Sequence, residues 1–259
     1  MLKNFLKITL LLIIFPFATL AKDAKTKDLA QYQTYESEEE FDDYKSENEF
    51  EIYDPFEKYN RKIYAFNDTL DRYFLEHVAK AYRVGFHPKI RSSIRNFLTN
   101  LTLPLSAANS LLQGKLDNGL ATFSNFLINS TIGLGGIFDV AGNKGIKYKP
   151  EDFGQTLGHY GSGSGAYLMI PLLGPSSNRD FSGWIVDKSV DPIGFNALKI
   201  DQHDELLKNE YRFGIAGASA IDTREKLIDI IDGIREDSFD PYATIRSAYL
   251  QKRISEIKN

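Results

Sequence analysis

The chain has 259 residues, no cysteine and four histidines, and its 31 basic and 35 acidic residues give a net charge of −4. The lack of cysteine excludes disulfide bonds, cysteine metal sites and a thiol nucleophile. The slight acidic excess argues against a protein bound to nucleic acid along its whole surface. The hydrophobic fraction of 42% and the charged fraction of 25% are typical of a folded chain.

The first 21 residues are predicted to be a secretory signal peptide. Lys3 and Lys7 place positive charge before the apolar stretch 8–17, and small residues precede a cleavage point after Ala21. That stretch is shorter than the roughly 20 apolar residues of a membrane-spanning helix. An uncleaved anchor is therefore the less favoured alternative, and we expect an exported protein.

Residues 22–52 are expected to form an acidic, disordered lead-in. Between Glu36 and Glu57, eleven residues are acidic and only Lys45 is basic. Such a segment has too little apolar surface to bury a face. Residues 53–259 are then predicted to form a single helical domain.

Apolar residues at intervals of three and four predict a mainly α fold. Four stripes carry this prediction: Tyr59, Ile63, Phe66, Leu70 and Phe74; Ile90, Ile94, Phe97 and Leu101; Leu116, Leu120, Phe123 and Leu127; and Leu227, Ile228, Ile231 and Ile234.

Helix starts are predicted at acidic residues. Asp-Pro pairs stand at 54–55, 191–192 and 240–241, and Asp is a good N-cap while Pro is accepted at the first helical position. Glu57 lies at capping-box spacing from Asp54. Asp222 with Glu225 predicts a further helix start.

The apolar stripes have two interpretations. A soluble helical core is the ordinary one for any single helix. The 18 phenylalanines and the apolar segment 166–175, which is too short to span a membrane, favour helices that lie in a lipid interface. That segment is either a buried strand or a loop that dips into lipid.

The glycine-rich middle of the chain carries no clear catalytic motif. Gly161, Gly163 and Gly165 alternate, but no Lys-Ser/Thr pair follows as a phosphate loop requires. Ser162 and Ser164 lack the context of a nucleophile elbow. His159 is more simply a structural residue, so the sequence predicts no enzyme, no cofactor and no metal site.

Four segments, taken in order, resemble the motifs of the MlaA/VacJ family. They are DPFEKYNR at 54–61 with YAFND at 64–68, GLGGIFDVA at 133–141, DFGQTLGHYG at 152–161, and DPY at 240–242. Together they extend over roughly residues 53–253. One such motif is weak evidence, whereas four in register form a strong resemblance.

The resemblance implies a fold and a function. The family's members are ring-like bundles of amphipathic helices with a polar channel, held in the inner leaflet of the Gram-negative outer membrane. They remove mislocalised phospholipid from the outer leaflet, often beside a trimeric porin, and pass it to a soluble periplasmic carrier similar to MlaC. The resemblance implies phospholipid transport that maintains lipid asymmetry, without catalysis or a nucleic-acid partner.

The resemblance also implies site residues on the first helix and in a Gly-rich, hairpin-like loop. On helical spacing alone, core packing is the better explanation of Phe66. The implied residues are Phe66, Asn67 and Asp68 for channel gating, Gly161, Gly163, Gly165, Pro171 and Gly174 for a hinge or lip, and Leu168, Ile170 and Leu172 for contact with the membrane.

One feature departs from the family. Its members commonly carry a lipobox cysteine at the signal cleavage site, whereas Lys22 follows Ala21 here and the chain has no cysteine. We therefore expect a protein at the periplasmic face of the outer membrane without a lipobox anchor. Two other functions remain as alternatives, an envelope structural or adhesion protein and a lipid hydrolase that uses His159.

Overall fold

The computed structural model of the chain describes residues 52–190 and 209–258. The predicted signal peptide, the acidic lead-in up to residue 51 and the predicted helix start at 191–192 lie outside these described residues.

The described residues are mostly helical, which confirms the predicted fold class. In chain order they form α1 (Glu57–Leu70), a π-helical turn (Asp71–Leu75), α2 (Glu76–Gly85), α3 (Pro88–Leu112), α4 (Leu116–Thr131), α5 (Val140–Asn143), α6 (Phe153–His159), β1 (Tyr167–Ile170), β2 (Gly174–Ser177), α7 (Asn178–Val190), α8 (Asn209–Lys226), α9 (Ile228–Asp237) and α10 (Pro241–Lys258).

The elements contact one another in a closed circuit. Helix α3 packs against α6, α6 against α10, and α10 against β2. Strand β1 contacts α1, which continues through the π-helical turn into α2. Helix α2 packs against α8, and α8 returns to α3. This circuit is the ring-like arrangement that the resemblance implied.

The first and last described helices begin in different ways. Helix α10 begins as predicted, because Asp240 Oδ1 accepts the backbone N–H of Ala243 at 3.2 Å and Pro241 is the first helical residue. The predicted capping box on α1 is wrong. That helix has no side-chain cap, and the Asp54 carboxylate instead accepts the side-chain amide of Asn60 at 2.8 Å and the hydroxyl of Tyr242 at 2.5 Å.

The predicted helix start at Asp222 is also wrong. Asp222 and Glu225 lie inside the last turns of α8, and the next helix begins at Ile228. Their carboxylates are buried and paired with Arg95 of α3, which donates to Asp222 at 3.1 Å and to Glu225 at 3.0 Å. Tertiary ion pairing therefore uses the acidic residues that local spacing assigned to a cap.

A small aromatic cluster joins the hairpin to the helices. The fully buried residues are Tyr167 and Met169 of β1 and Tyr242 of α10. The rings of Tyr167 and Tyr242 meet edge to face with centroids 6.1 Å apart, a favourable geometry for aromatic pairs. Ile63, Tyr64 and Tyr249 pack around them.

Candidate functional site

Helix α4 is apolar on its exposed face and polar on its buried face. Thr122 and Asn125 are at most 1% exposed, whereas Leu120 is 62% and Phe123 is 46% exposed. The helix of a soluble protein turns its leucine stripe inward. In α4 the stripe that the sequence predicted is the outer surface.

The same reversal extends to other helices. Large apolar side chains are exposed on α1, on the π-helical turn, on α3 and α4 and in the loop after α4, and exposed apolar patches mark interaction sites. The exposed residues include Tyr59, Phe66, Phe74, Ile90, Phe97, Leu111, Leu112, Leu116, Leu127, Ile132, Leu134 and Phe138.

The buried side is polar and hydrogen-bonded. Gln113 Nε2 donates to Glu151 at 3.0 Å and to the hydroxyl of Thr156 at 3.1 Å. The Thr156 hydroxyl donates to Asn109 at 3.0 Å, and Asn109 Nδ2 donates to Asp187 at 3.1 Å. This chain of polar groups links α3 to α6 and α7. Burial raises the pKa of the Asp187 carboxyl, although hydrogen bonds from Phe153 and Asn109 act against the rise.

No helix within residues 52–190 and 209–258 combines the length and the apolar character that crossing a membrane requires. Helix α4 has 16 residues and so extends about 24 Å. The hydrocarbon core of a bilayer is about 30 Å thick.

The segment 167–177 forms an antiparallel hairpin with a three-residue turn. Tyr167 pairs with Ser177, and Ile170 pairs with Gly174. In the turn, Leu172 has a φ of 66°, a left-handed conformation that residues other than glycine rarely adopt. Of the two alternatives for this segment, the strand β1 buries Tyr167 and Met169, while the turn is exposed.

The residues predicted for gating occupy three different environments. The Phe66 side chain is 54% exposed. Asn67 contacts the hairpin turn, donating to the Ile170 carbonyl at 3.0 Å and accepting the Leu172 N–H at 2.9 Å. Asp68 contacts α9 instead, where its carboxylate accepts a hydrogen bond from the guanidinium of Arg235 at 2.8 Å. The structure thus brings Asn67 to the predicted lip and places Asp68 in an ion-pair cluster.

The residues predicted for membrane contact are arranged along the hairpin. Leu168 and Ile170 are half-buried and alternate with the buried Tyr167 and Met169. Leu172 is 72% exposed at the turn. The predicted role of these residues stays a prediction.

The predicted hinge residues differ in their backbone. Gly161, Gly165 and Gly174 have φ values of 87°, 67° and 86°, which favour glycine. Gly163 is outside the positive-φ region and has open space around it. Pro171 is exposed at the start of the hairpin turn.

An ion-pair cluster surrounds the π-helical turn. The Asp71 carboxylate accepts hydrogen bonds from Arg224 of α8 at 2.6 Å and from Arg235 of α9 at 2.8 Å. Burial pushes the pKa of the Asp71 carboxyl up, but hydrogen bonds and charge from Arg224 and Arg235 outweigh burial and lower the pKa. A π-helical turn contains about one residue more than an α-helical turn, and such turns are frequent at functional sites. The cluster ties the continuous helix 57–85 to α8 and α9.

A second buried cluster holds α7 and α10 together. The Asp180 carboxylate accepts hydrogen bonds from Arg253 at 3.0 Å and from the hydroxyl of Tyr249 at 2.6 Å. It also forms an ion pair with Arg179, whose Nη2 lies 2.8 Å from Asp180 Oδ1. Burial raises the pKa of Asp180, but Arg253, Arg179 and Tyr249 together hold it at about 2. His159 lies outside this cluster, exposed at the end of α6 with its ring edge-on to Tyr160.

Asn60 is a site residue that the sequence motifs did not single out. It is 2% exposed and binds the backbone of β1 from inside the first motif. A polar residue on the inward side of an apolar stripe was the available signal, because buried polar groups need partners. The buried Thr122–Asn125–Asn129 row on α4 carried the same signal at helical spacing.

These features define an amphipathic helical protein that exposes apolar faces and buries polar groups, an arrangement suited to a lipid interface. Residues 52–256 match the family described as MlaA lipoprotein, and the chain belongs to that family. This match confirms the family that the sequence resemblance indicated.

Relatives from several bacteria are similar to this chain over most of their length. The chain is 36% identical over 203 residues to the intermembrane phospholipid transport system lipoprotein MlaA of Escherichia coli, covering 77% of this chain and 76% of the relative. It is 31% identical over 201 residues to the protein of that name from Haemophilus influenzae, covering 76% of each. A Rickettsia bellii protein is 36% identical over 207 residues, covering 80% of this chain and 78% of the relative.

A solved structure, determined to explain the maintenance of bacterial outer membrane lipid asymmetry, has the same fold. It superposes with a TM-score of 0.66 at 36% identity, covering 79% of this chain and 98% of the other. The association with the outer membrane that the resemblance implied is thereby supported.

The expectation of a family member without a lipid anchor is contradicted. It rested on the absence of cysteine from this sequence. The relatives from Escherichia coli, Shigella flexneri and Haemophilus influenzae are all named lipoproteins. The lipoprotein names of these three relatives outweigh the absence of cysteine as evidence on the lipid anchor.

Proposed function

We propose that this chain transports phospholipid between membranes at the Gram-negative outer membrane. It removes mislocalised phospholipid from the outer leaflet, guides it through a channel within the ring of helices and passes it to a periplasmic carrier, which maintains lipid asymmetry. The observation that carries this proposal is helix α4, whose apolar side chains are exposed while its polar side chains are buried.

The exposed stripe on α4 favours lipid over water. A fully buried leucine or phenylalanine side chain contributes about 1.5–3 kcal/mol relative to an exposed one. Leu116, Leu120, Phe123 and Leu127 are all exposed on one face, so acyl chains against that face would stabilise the protein by several such increments. Because the helices are amphipathic, we place them in one leaflet, with the polar side directed at the headgroup path.

The gate of this path is proposed to be Phe66, Asn67 and Asp68 on α1. The hairpin forms its lip, with Leu168, Ile170 and Leu172 toward the membrane. Support comes from the paired hydrogen bonds of Asn67 to the hairpin turn, because any movement of the lip must change them. Gly161, Gly163, Gly165, Pro171 and Gly174 are proposed as the hinge.

The partners follow from the proposed route. A trimeric porin is proposed to contact the outer apolar surface, and a soluble MlaC-like carrier is proposed to receive the phospholipid in the periplasm. The chain moves phospholipid without changing any covalent bond in it and acts as no enzyme. Residues 53–259 are proposed to form the single domain that performs this transport.

The test is functional replacement in a Gram-negative strain that lacks its own family member. Surface-exposed phospholipid is measured by labelling amine headgroups on intact cells. The full chain is expected to restore the low surface level, and the double variant Leu120→Asp/Phe123→Asp is expected to fail. Unchanged surface phospholipid with the full chain would contradict transport and favour the alternative, an envelope structural or adhesion protein that uses its apolar faces for protein partners.

A further inference from the structure

Asn60 binds strand β1 in the manner of a neighbouring strand. Its Nδ2 donates to the Tyr167 carbonyl at 3.0 Å, and its Oδ1 accepts the Met169 N–H at 2.9 Å. One side-chain amide thus satisfies a donor and an acceptor two residues apart on one edge of the strand.

Asn67 repeats this pattern further along the hairpin. Its Nδ2 donates to the Ile170 carbonyl at 3.0 Å, and its Oδ1 accepts the Leu172 N–H at 2.9 Å. The two asparagines are seven residues apart, which is about 10.5 Å along a helix. Their targets are shifted by three residues, which is about 10 Å along a strand. The hairpin edge and α1 therefore match in length, and two amide clamps hold them together.

The two clamps differ in their surroundings. Asn60 is 2% exposed, its amide also donates to Asp54 at 2.8 Å, and the strand residues that it binds are buried. Asn67 is half-buried and binds the exposed turn. Its partner Leu172 has a φ of 66°, a strained conformation for a leucine.

We infer that Asn60 is a permanent anchor of the hairpin and that Asn67 is a releasable latch. The moving part of the lip is then residues 170–174, while 167–169 stays on α1. Of the proposed hinge residues, Pro171 and Gly174 lie in this moving part, and the inference therefore removes Gly161, Gly163 and Gly165 from the hinge. When the Asn67 bonds break, Leu172 relaxes from its left-handed conformation and the exposed turn swings away from α1. This inference rests on the proposed function, and it names Asn60 as a positioning residue and limits the mobile part of the lip.

Amide hydrogen exchange at single-residue resolution in detergent micelles tests the inference on the full chain. Asn67→Ala is expected to speed exchange of the Leu172 amide by about tenfold or more, the effect of losing two hydrogen bonds. Exchange at Met169 is expected to stay within about twofold of the parent. Asn67→Asp, which keeps the acceptor for Leu172 N–H, is expected to give a smaller increase.

Asn96→Ala is the control, because this α3 side chain makes only a long 3.5 Å contact with the Ile137 carbonyl in the described structure. It should leave both amides unchanged. Asn60→Ala should speed exchange at Met169. Asn67→Ala is the variant that tests the inference, because the Asn67 side chain lies near the surface and its loss should leave the fold intact.

Unchanged exchange at Leu172 in Asn67→Ala would overturn the inference, as would equal acceleration at Met169 and Leu172. Surface phospholipid is measured in the same variants to separate the two proposals. Exchange as expected with unaltered surface phospholipid would contradict the gate of the proposed function while supporting the anchor and latch.

Discussion

The side-chain oxygen of Asn67 accepts a 2.9 Å hydrogen bond from the backbone N–H of Leu172, which lies 105 residues away in the chain. This bond joins the end of the first family motif to the turn of the hairpin. Two parts of the sequence that the resemblance assigned separately to a gate and a lip are thus in direct contact.

Replacing Phe66 should change lipid passage without destabilising the fold. Its side chain is 54% exposed, and substitutions at such positions usually change the free energy of unfolding by no more than about 0.5 kcal/mol. We expect Phe66→Ala to alter surface phospholipid in the replacement strain while membrane association is retained. Lys62→Ala, at an exposed polar position on the same helix, is the control and should act like the parent. Equal surface phospholipid in all three proteins at normal expression levels would refute the gating role.

Charging the outer face of α4 should weaken membrane binding. Leu120→Asp/Phe123→Asp removes two exposed apolar side chains, each worth about 1.5–3 kcal/mol when buried in lipid. Vesicle flotation should therefore show binding that is weaker by about a hundredfold or more. The matched variant Leu120→Met/Phe123→Leu keeps the face apolar and should bind like the parent. Parent-like flotation of the charged variant would show that α4 does not contact lipid.

The glycine pair at the crossing of α6 and α7 should tolerate no side chain. A Cβ on Gly183 would lie 2.3 Å from the backbone nitrogen of Gly154, so the helices would have to separate. Gly183→Ala should lower the free energy of unfolding by about 1–3 kcal/mol, the usual cost of overpacking. Gly233→Ala on α9 meets open space and should be neutral or stabilising by up to about 1 kcal/mol. Similar unfolding midpoints for the two variants in denaturant titration would contradict the close crossing.

Much of the fold was accessible from the sequence because helical periodicity does not depend on the solvent that a face meets. The stripe of Leu120 and Phe123 predicted α4 equally well for a soluble core and for a lipid-facing surface. Which face is buried depends on contacts between helices, and these are tertiary. The resemblance, by contrast, supplied the family and the membrane setting.

Local rules failed where distant charges compete for the same carboxylates. Asp54 and Asp222 have the residue type and spacing of helix caps. In the fold, Tyr242 and Arg95 take their oxygens instead. A charge-assisted hydrogen bond is about twice as strong as a neutral one, and partners from other helices cannot be read from the spacing within one segment. Asn60 was missed for the same reason, because its partners lie 107 and 109 residues away.

The Asp180 cluster predicts loss of stability in acid. The pKa of Asp180 falls from 3.8 to about 2 in the folded protein, because Arg253, Arg179 and Tyr249 outweigh the effect of burial. A depressed pKa stabilises the fold above pH 3.8, and this stabilisation disappears as the pH falls through about 2. The shift corresponds to roughly 2 kcal/mol.

Asp180→Asn should therefore be less stable than the parent at pH 7, and its unfolding free energy should depend less on pH between about 4 and 2. Chemical denaturation across this range measures both effects. Asp229→Asn is the control because that carboxylate pairs with Arg83 at the exposed surface. A parent-like acid profile for Asp180→Asn would show that Asp180 is not an important contributor to acid unfolding.

The central claim is that the chain accepts phospholipid at the outer membrane. The most direct measurement is mass spectrometry of lipids and proteins that co-purify with the full chain, extracted from Gram-negative membranes in mild detergent. The account predicts bound phospholipid together with a porin or a soluble periplasmic carrier, and less phospholipid in the Leu120→Asp/Phe123→Asp variant. A lipid-free protein that purifies from the soluble fraction as a monomer would contradict it.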